Sequence, residues 1–187
     1  SYATVDDEPK LPGRAETRWV SLFRESLLKA IGRKLGRRDL VREFFDRKDL
    51  ESNAPLTPEL EGALDRSAVF VAVNSPAYLH PDCWCRLERQ RFLARLGRTD
   101  PERAAQRRVW IVHLDEVPRA TWQAAFFPNI RGMEFFLKEP DTGVARTLPR
   151  GDDFQPFLDR VEDLAREIAV RLVELHREKS VVPVRSS

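Results

Sequence analysis

Two short apolar runs constrain this chain more than anything else in it. Residues 68–73 (Ala-Val-Phe-Val-Ala-Val) and 109–114 (Val-Trp-Ile-Val-His-Leu) are continuous, not alternating. A strand of that kind is buried on both faces, which is the habit of parallel sheets covered by helices. The segments around them supply the helices. Over residues 16–35, Trp19, Phe23, Leu27, Ile31 and Leu35 recur every four positions, and Gly36 follows as a natural C′ residue. Thr57 reads as an N-cap with Pro58 at N1 and Leu60 and Leu64 on the helix behind them. A further helix runs over 81–96 and breaks after Gly97 at Asp100-Pro101. Near the end, Phe154, Phe157, Leu158, Val161, Leu164, Ala165, Ile168, Leu172 and Leu175 make a stripe of about six turns, capped by Asp152 or Asp153.

The remaining strand signals are weaker. Residues 40–45 are a strand candidate with Arg42 and Glu43 in its middle, and 133–137 are a candidate edge strand. Residues 115–132 read as irregular, 138–153 as a polar loop, and 179–187 as a tail or linker. The chain starts at Ser1 without Met, and Ser1-Tyr2-Ala3 reads as the end of a strand cut short, so the sequence is expected to be a piece of a longer protein. Strands alternating with helices give an α/β class with a mostly parallel sheet. Ligands bind such sheets beyond the carboxyl ends of the strands. That rule points to Tyr2 and Ala3, to 46–49, to Asn74 and Ser75, and to the loop running into Trp84.

Composition excludes several classes. The 187 residues fit one domain, and 42% hydrophobic with 33% charged is a folded composition. A formal net charge of +2 makes no case for nucleic acid. Lysine supplies six of the 32 basic residues, which reads first as base composition of the gene. No run approaches the roughly 20 apolar residues of a membrane span, and no signal peptide is visible. Cys83 and Cys85 lack the Cys-x-x-Cys spacing of zinc or redox sites, point apart if both are helical, and read as two unpaired thiols in a reducing cytoplasm. There is no Gly-x-Gly-x-x-Gly and no Walker loop. His80, His113 and His176 are scattered. His113 reads as a core or strand-end residue, and no metal constellation is seen.

What remains is the stretch 67–93: a buried strand, a Ser-Pro loop, and a helical segment with Trp84 and Glu88 four residues apart. That spacing sets an aromatic and a carboxylate on one helix face. A helix Glu is ordinarily a solvated surface residue, and Trp84 is as readily core packing. Asp46 and Asp49 are ordinarily turn or surface acids.

Four pieces in order resemble a Toll/interleukin-1 receptor (TIR) domain of the bacterial type: Ser1-Tyr2-Ala3 with Asp6-Asp7 behind it, Phe45-Asp46-Arg47-x-Asp49-Leu50, Ser75-Pro76-x-Tyr78, and Trp84-Cys85-x-x-Glu88. The last is the most specific. The resemblance implies a flavodoxin-like fold over residues 1–178, with a five-stranded, mostly parallel sheet and helices on both faces. It implies NAD⁺ cleavage at the nicotinamide–ribose bond, with Glu88 as the catalytic residue and NAD⁺ as substrate, not cofactor. By the same resemblance the loop 46–58 is the segment through which copies assemble, and the setting is a cytoplasmic antiphage effector joined to a sensor domain. Hydrolysis and cyclisation are both open. The alternative within the family is a non-catalytic adaptor that only assembles.

The chemistry agrees with that carry-over. Nicotinamide leaves as a neutral ring, so one fixed carboxylate facing the oxocarbenium-like ribose is enough. Tyr2 and Trp84 are the candidates for stacking on the substrate. Asp46 and Asp49 are the candidates for its ribose hydroxyls, and Ser75 is a further substrate-binding candidate. Leu50, Pro55 and Leu56 are the candidates for an assembly surface.

Overall fold

A computed structural model describes residues 1–8, 18–36, 58–96, 100–127, 129–130 and 132–181. The strand expected at 40–45, the cap Thr57, and the site and assembly candidates Asp46, Asp49, Leu50, Pro55 and Leu56 lie outside these residues.

The two apolar runs form the centre of a parallel sheet. Strand β1 (Phe70–Asn74) pairs with β2 (Val109–His113), Phe70 opposite Val109 and Asn74 opposite His113. Strand β3 (Gly132–Glu134) continues on the far side of β2, also parallel. On the free side of β1, the Ser1 amino group donates to the Val71 carbonyl at 2.8 Å, and the Val73 N–H donates to the Ser1 carbonyl at 2.9 Å. That is the bond pattern of a parallel pair centred on Ser1 and Ala72. The described residues therefore show a three-stranded parallel sheet with the opening residues laid along its edge.

Both faces are covered, as continuous apolar strands require. Helix α1 (Trp19–Lys34) packs with α6 (Gln155–Val181) on one face, over Val73, Val112 and Leu114. Its centre is aromatic: the rings of Trp19 and Phe135 each lie 5.2–6.2 Å from one another and from those of Phe23 and Phe157. The other face carries α2 (Pro58–Arg66), α3 (Cys85–Arg95), α4 (Pro101–Gln106) and α5 (Arg119–Ala125), over Phe70, Ala72, Val109 and Ile111. The strands are thus read alternately, odd residues of β1 to one layer and even residues to the other.

Helix ends follow local chemistry. Asp7, in a 3₁₀ turn over Thr4–Asp7, accepts from the backbone N–H and hydroxyl of Ser21 at 2.9 and 2.8 Å, so a distant carboxylate satisfies the first turn of α1. Gly36, at φ 72°, ends that helix in the left-handed region. Asp100 caps α4 by accepting from the Arg103 N–H at 3.0 Å. The Asp153 carboxylate accepts from the Gln155 N–H at the start of α6.

Four expectations change. The segment 115–132 contains α5. The single strand expected at 133–137 splits at Phe135 into β3 and β4 (Phe136–Lys138), and β4 forms an antiparallel pair with β5 (Ala145–Thr147) inside the supposed polar loop. In the stripe of α6, Phe154 and Leu158 are exposed, while Phe157, Val161, Leu164 and Ile168 are fully buried. Cys83 and Cys85 are bonded to each other, their Cα atoms 5.2 Å apart. Cys83 stands in the turn before α3 and Cys85 opens the helix, so the helical geometry that would separate them does not apply. The free-thiol argument for a reducing compartment falls with that pairing. No helix among the described residues is long and apolar enough to cross a membrane.

Candidate functional site

Strand β1 runs into a tight loop. Asn74 and Ser75 are buried at its end. The Ser75 hydroxyl donates to the Asp6 carboxylate at 2.7 Å and accepts from the Tyr78 N–H at 3.0 Å. This serine fastens the opening segment to the β1 exit and folds the loop back toward the sheet. Tyr78, wholly buried, stacks parallel to Phe126.

The loop delivers the chain to α3. Trp84 is its N-cap residue in helical conformation, and the Glu88 N–H donates to the Trp84 carbonyl at 3.2 Å. Trp84 and Glu88 are therefore one turn apart on one face, as the spacing predicts. Both are half-buried. The inward face of α3 is Cys85, Arg89 and Phe92. Its flank is tied down by arginines: Arg91 bonds Asp65, and Arg95 bonds the carbonyls of Asp65 and Ser67.

Glu88 differs from the acids around it. On α2, packed beside α3, Glu61 and Asp65 both pair with Arg91. Among the described residues the Glu88 carboxylate makes no ion pair and no side-chain hydrogen bond, although Arg86, Arg89 and Arg91 share its helix. Its field reaches the Tyr78 phenol, whose pKa is pushed up to about 12. Burial is the main cause and Glu88 adds to it; the Ser1 hydroxyl and the Arg89 guanidinium beside the phenol act against it. Arg89 is buried against the Tyr78 and Phe126 rings, 5.6 and 5.1 Å from their centroids. One of its nitrogens, and the Trp84 indole nitrogen, are buried with no hydrogen-bond partner among the described residues. The carboxyl end of β1 thus gathers Glu88, Trp84, Arg89, Tyr78 and Ser1.

The other candidates distribute unevenly. Ser75 sits at this end, but its hydroxyl is engaged within the chain on both sides. Tyr2 packs in the layer of α1 and α6, across the sheet from α3, because an extended chain turns successive side chains to opposite faces.

A second grouping lies at the carboxyl ends of β2 and β3. The Asn74 amide donates from Nδ2 to His113 Nδ1 at 2.9 Å, so the neutral imidazole carries its proton on Nε2. Burial depresses the His113 pKa to about 4, so at neutral pH the ring is uncharged. The ring centroid lies 5.0 Å from that of Trp122. Gly132 gives it room: a Cβ there would stand 1.8 Å from His113 Nε2. His113 and Trp122 line a cleft of about 670 Å³ with Asp115, Arg119, Ile130 and Glu134 on its walls. No group of three or more potential ligand side chains that could hold a metal ion occurs among the described residues.

Sequence reasoning took His113 for a core or strand-end residue and did not reach its bond to Asn74. The only signal for that bond is the apolar runs' common register, which puts the two residues opposite each other once the strands are paired. No family model, no curated protein and no solved structure matches the chain.

Proposed function

We propose that this chain is a TIR domain that cleaves NAD⁺ at the nicotinamide–ribose bond, with Glu88 as the catalytic carboxylate. The observation that carries the reading is the half-buried, uncommitted carboxylate of Glu88 one turn from Trp84, on the helix that leaves the carboxyl end of a parallel strand. Arg86, Arg89 and Arg91 share its helix and none pairs with it, which leaves the carboxylate available to a ligand. As the bond breaks, positive charge develops on the ribose and nicotinamide departs neutral. A fixed anion in a site sheltered by Trp84 stabilises that charge, and no general acid is required.

The reading also completes the sheet. Residues 1–3 become the strand beside β1 and 40–45 the strand beyond them, which makes five parallel strands with β2 and β3. The loop 46–58 then follows the outer strand at the ligand-binding end. Asp46 and Asp49 would meet ribose hydroxyls, and Leu50, Pro55 and Leu56 would bring copies together. The setting proposed is an antiphage effector of the bacterial cytoplasm that works with a sensor domain.

The test is nicotinamide release from NAD⁺ by the purified protein at high concentration, with Glu88→Ala alongside. Release should fall by a hundredfold or more, on the order found when one electrostatic stabiliser is removed. Equal release in the two proteins would sink the assignment. Self-association lost in Leu50 and Leu56 variants, with no turnover at any concentration, would establish the adaptor instead.

A further inference from the structure

The cleft beyond β2 and β3 is lined by none of the residues given a role in that reaction. Its floor is His113, which is nine-tenths buried, fixed by Asn74 on one side and seated over Gly132 on the other. No group among the described residues bonds its Nε2, and that atom abuts Gly132 in the cleft lining. The walls beside it are apolar: Trp122, Ile130 and Phe136. A volume of about 670 Å³ lies within the range of small-molecule pockets, and the position is where α/β sheets bind ligands.

Charge narrows the class of occupant. Three carboxylates line the cleft, those of Asp115, Glu116 and Glu134, with Arg119 the only cation among the described lining residues. Lys138 neutralises Glu116 at 2.6 Å and lies near Glu134. Asp115 and Glu134 have no ion-pair partner among the described residues, and Asp115 bonds only the neighbouring Glu116 N–H. Among the described lining residues carboxylates outnumber cations three to one, and Lys138 offsets one of them. The two carboxylates without an ion-pair partner among the described residues, Asp115 and Glu134, suit a protonated amine, which is also favoured beside the Trp122 ring. The Nε2–H of His113 asks for an acceptor on the same ligand.

We propose that this cleft is a binding site for a small organic cation: a protonated amine carrying a hydroxyl or carbonyl oxygen, its ammonium at Asp115 and Glu134 and its oxygen at His113. The site is independent of Glu88 and of NAD⁺.

The experiment titrates the full chain with glucosamine, octopamine and tyramine, following the Trp122 indole N–H and His113 ring signals by NMR. Glucose and glucose 6-phosphate serve as the neutral and anionic counterparts. At least one amine should give saturable shifts at both residues, weakened by added salt. The exposed-rim double variant Asp115→Asn, Glu134→Gln should lower its affinity about tenfold or more. The amine should bind Glu88→Ala as well as it binds the unaltered chain, which separates this site from the proposed reaction. Silence from all three amines, equal binding of glucose 6-phosphate, or unchanged affinity in the double variant would overturn the proposal.

Discussion

The Asn74 amide and the His113 imidazole, 2.9 Å apart, join the carboxyl ends of the two central strands through their side chains. Both residues are buried, and the bond spans 39 positions of sequence. It fixes a neutral ring at the point where the β1–α3 loop and the β2–α5 loop diverge. The pH dependence of stability follows. In the unfolded chain His113 takes up its proton near pH 6.5, and in the folded chain burial holds that step down to about 4. Between those values the unfolded state binds the extra proton, so stability is full above pH 6.5 and falls as pH drops toward 4. Allowing for solvent reaching the ring from the cleft, the loss is on the order of 2 kcal/mol. Asp115, Glu116, Glu134 and Arg119 also face the cleft, so the measurement is a difference. Denaturant midpoints at pH 7 and pH 4.5 should diverge for the unaltered chain by more than for His113→Gln.

Gly132 and His113 make a second, steric pair. A methyl group at 132 would stand 1.8 Å from Nε2, far inside contact distance, and the ring is buried against Trp122. Gly132→Ala should therefore cost roughly 1–3 kcal/mol or more, the usual range for overpacking a filled site. The origin of that cost is checked by a double-mutant cycle with His113→Ala. If the clash is the cause, the alanine at 132 becomes much cheaper when the ring is gone. Additive effects would mean that the strain lies in the backbone of β3 and not in the imidazole.

These relationships show what the sequence could and could not reveal. The helices at 19–34 and 155–181 were legible because their stripes run for several turns. The two central strands were legible because an apolar run of five or six residues has few other uses. Helices α4 and α5 have six and seven residues, too few for periodicity to declare itself, and β4 with β5 are three-residue strands half open to solvent. At the site, the shared face of Trp84 and Glu88 follows from spacing alone. The facing of Tyr2 does not, since it depends on Ser1 pairing opposite Ala72. Nor does the engagement of Ser75, whose partners lie 69 positions back and three positions on.

That engagement is itself testable. With Ser75→Ala, the Asp6 carboxylate loses a charge-assisted donor and the buried Tyr78 N–H loses its acceptor. The expected cost is about 1–3 kcal/mol, the toll of an unsatisfied buried donor. Amide exchange should quicken across 75–80 and in the turn at Thr4–Asp7 together, because one hydroxyl joins them. Faster exchange in the loop alone would show that the Asp6 bond carries little, and an unchanged denaturant midpoint would show the same for both.

Glu88 should behave in the opposite way. Its carboxylate makes no side-chain hydrogen bond or ion pair among the described residues, so Glu88→Gln removes charge without breaking a bond. At neutral pH the Tyr78 phenol is protonated and uncharged, so losing the Glu88 anion, which adds to its raised pKa, costs that buried ring nothing. The thermal midpoint of Glu88→Gln should therefore match or slightly exceed that of the unaltered chain, within about 0.5 kcal/mol, as for a surface substitution. The contrast with Ser75→Ala is the point of the pair: one residue at the carboxyl end of β1 holds the structure, and its neighbour on α3 does not. A loss of more than about 2 kcal/mol in Glu88→Gln would make the carboxylate a structural group and remove the observation on which the proposed chemistry rests.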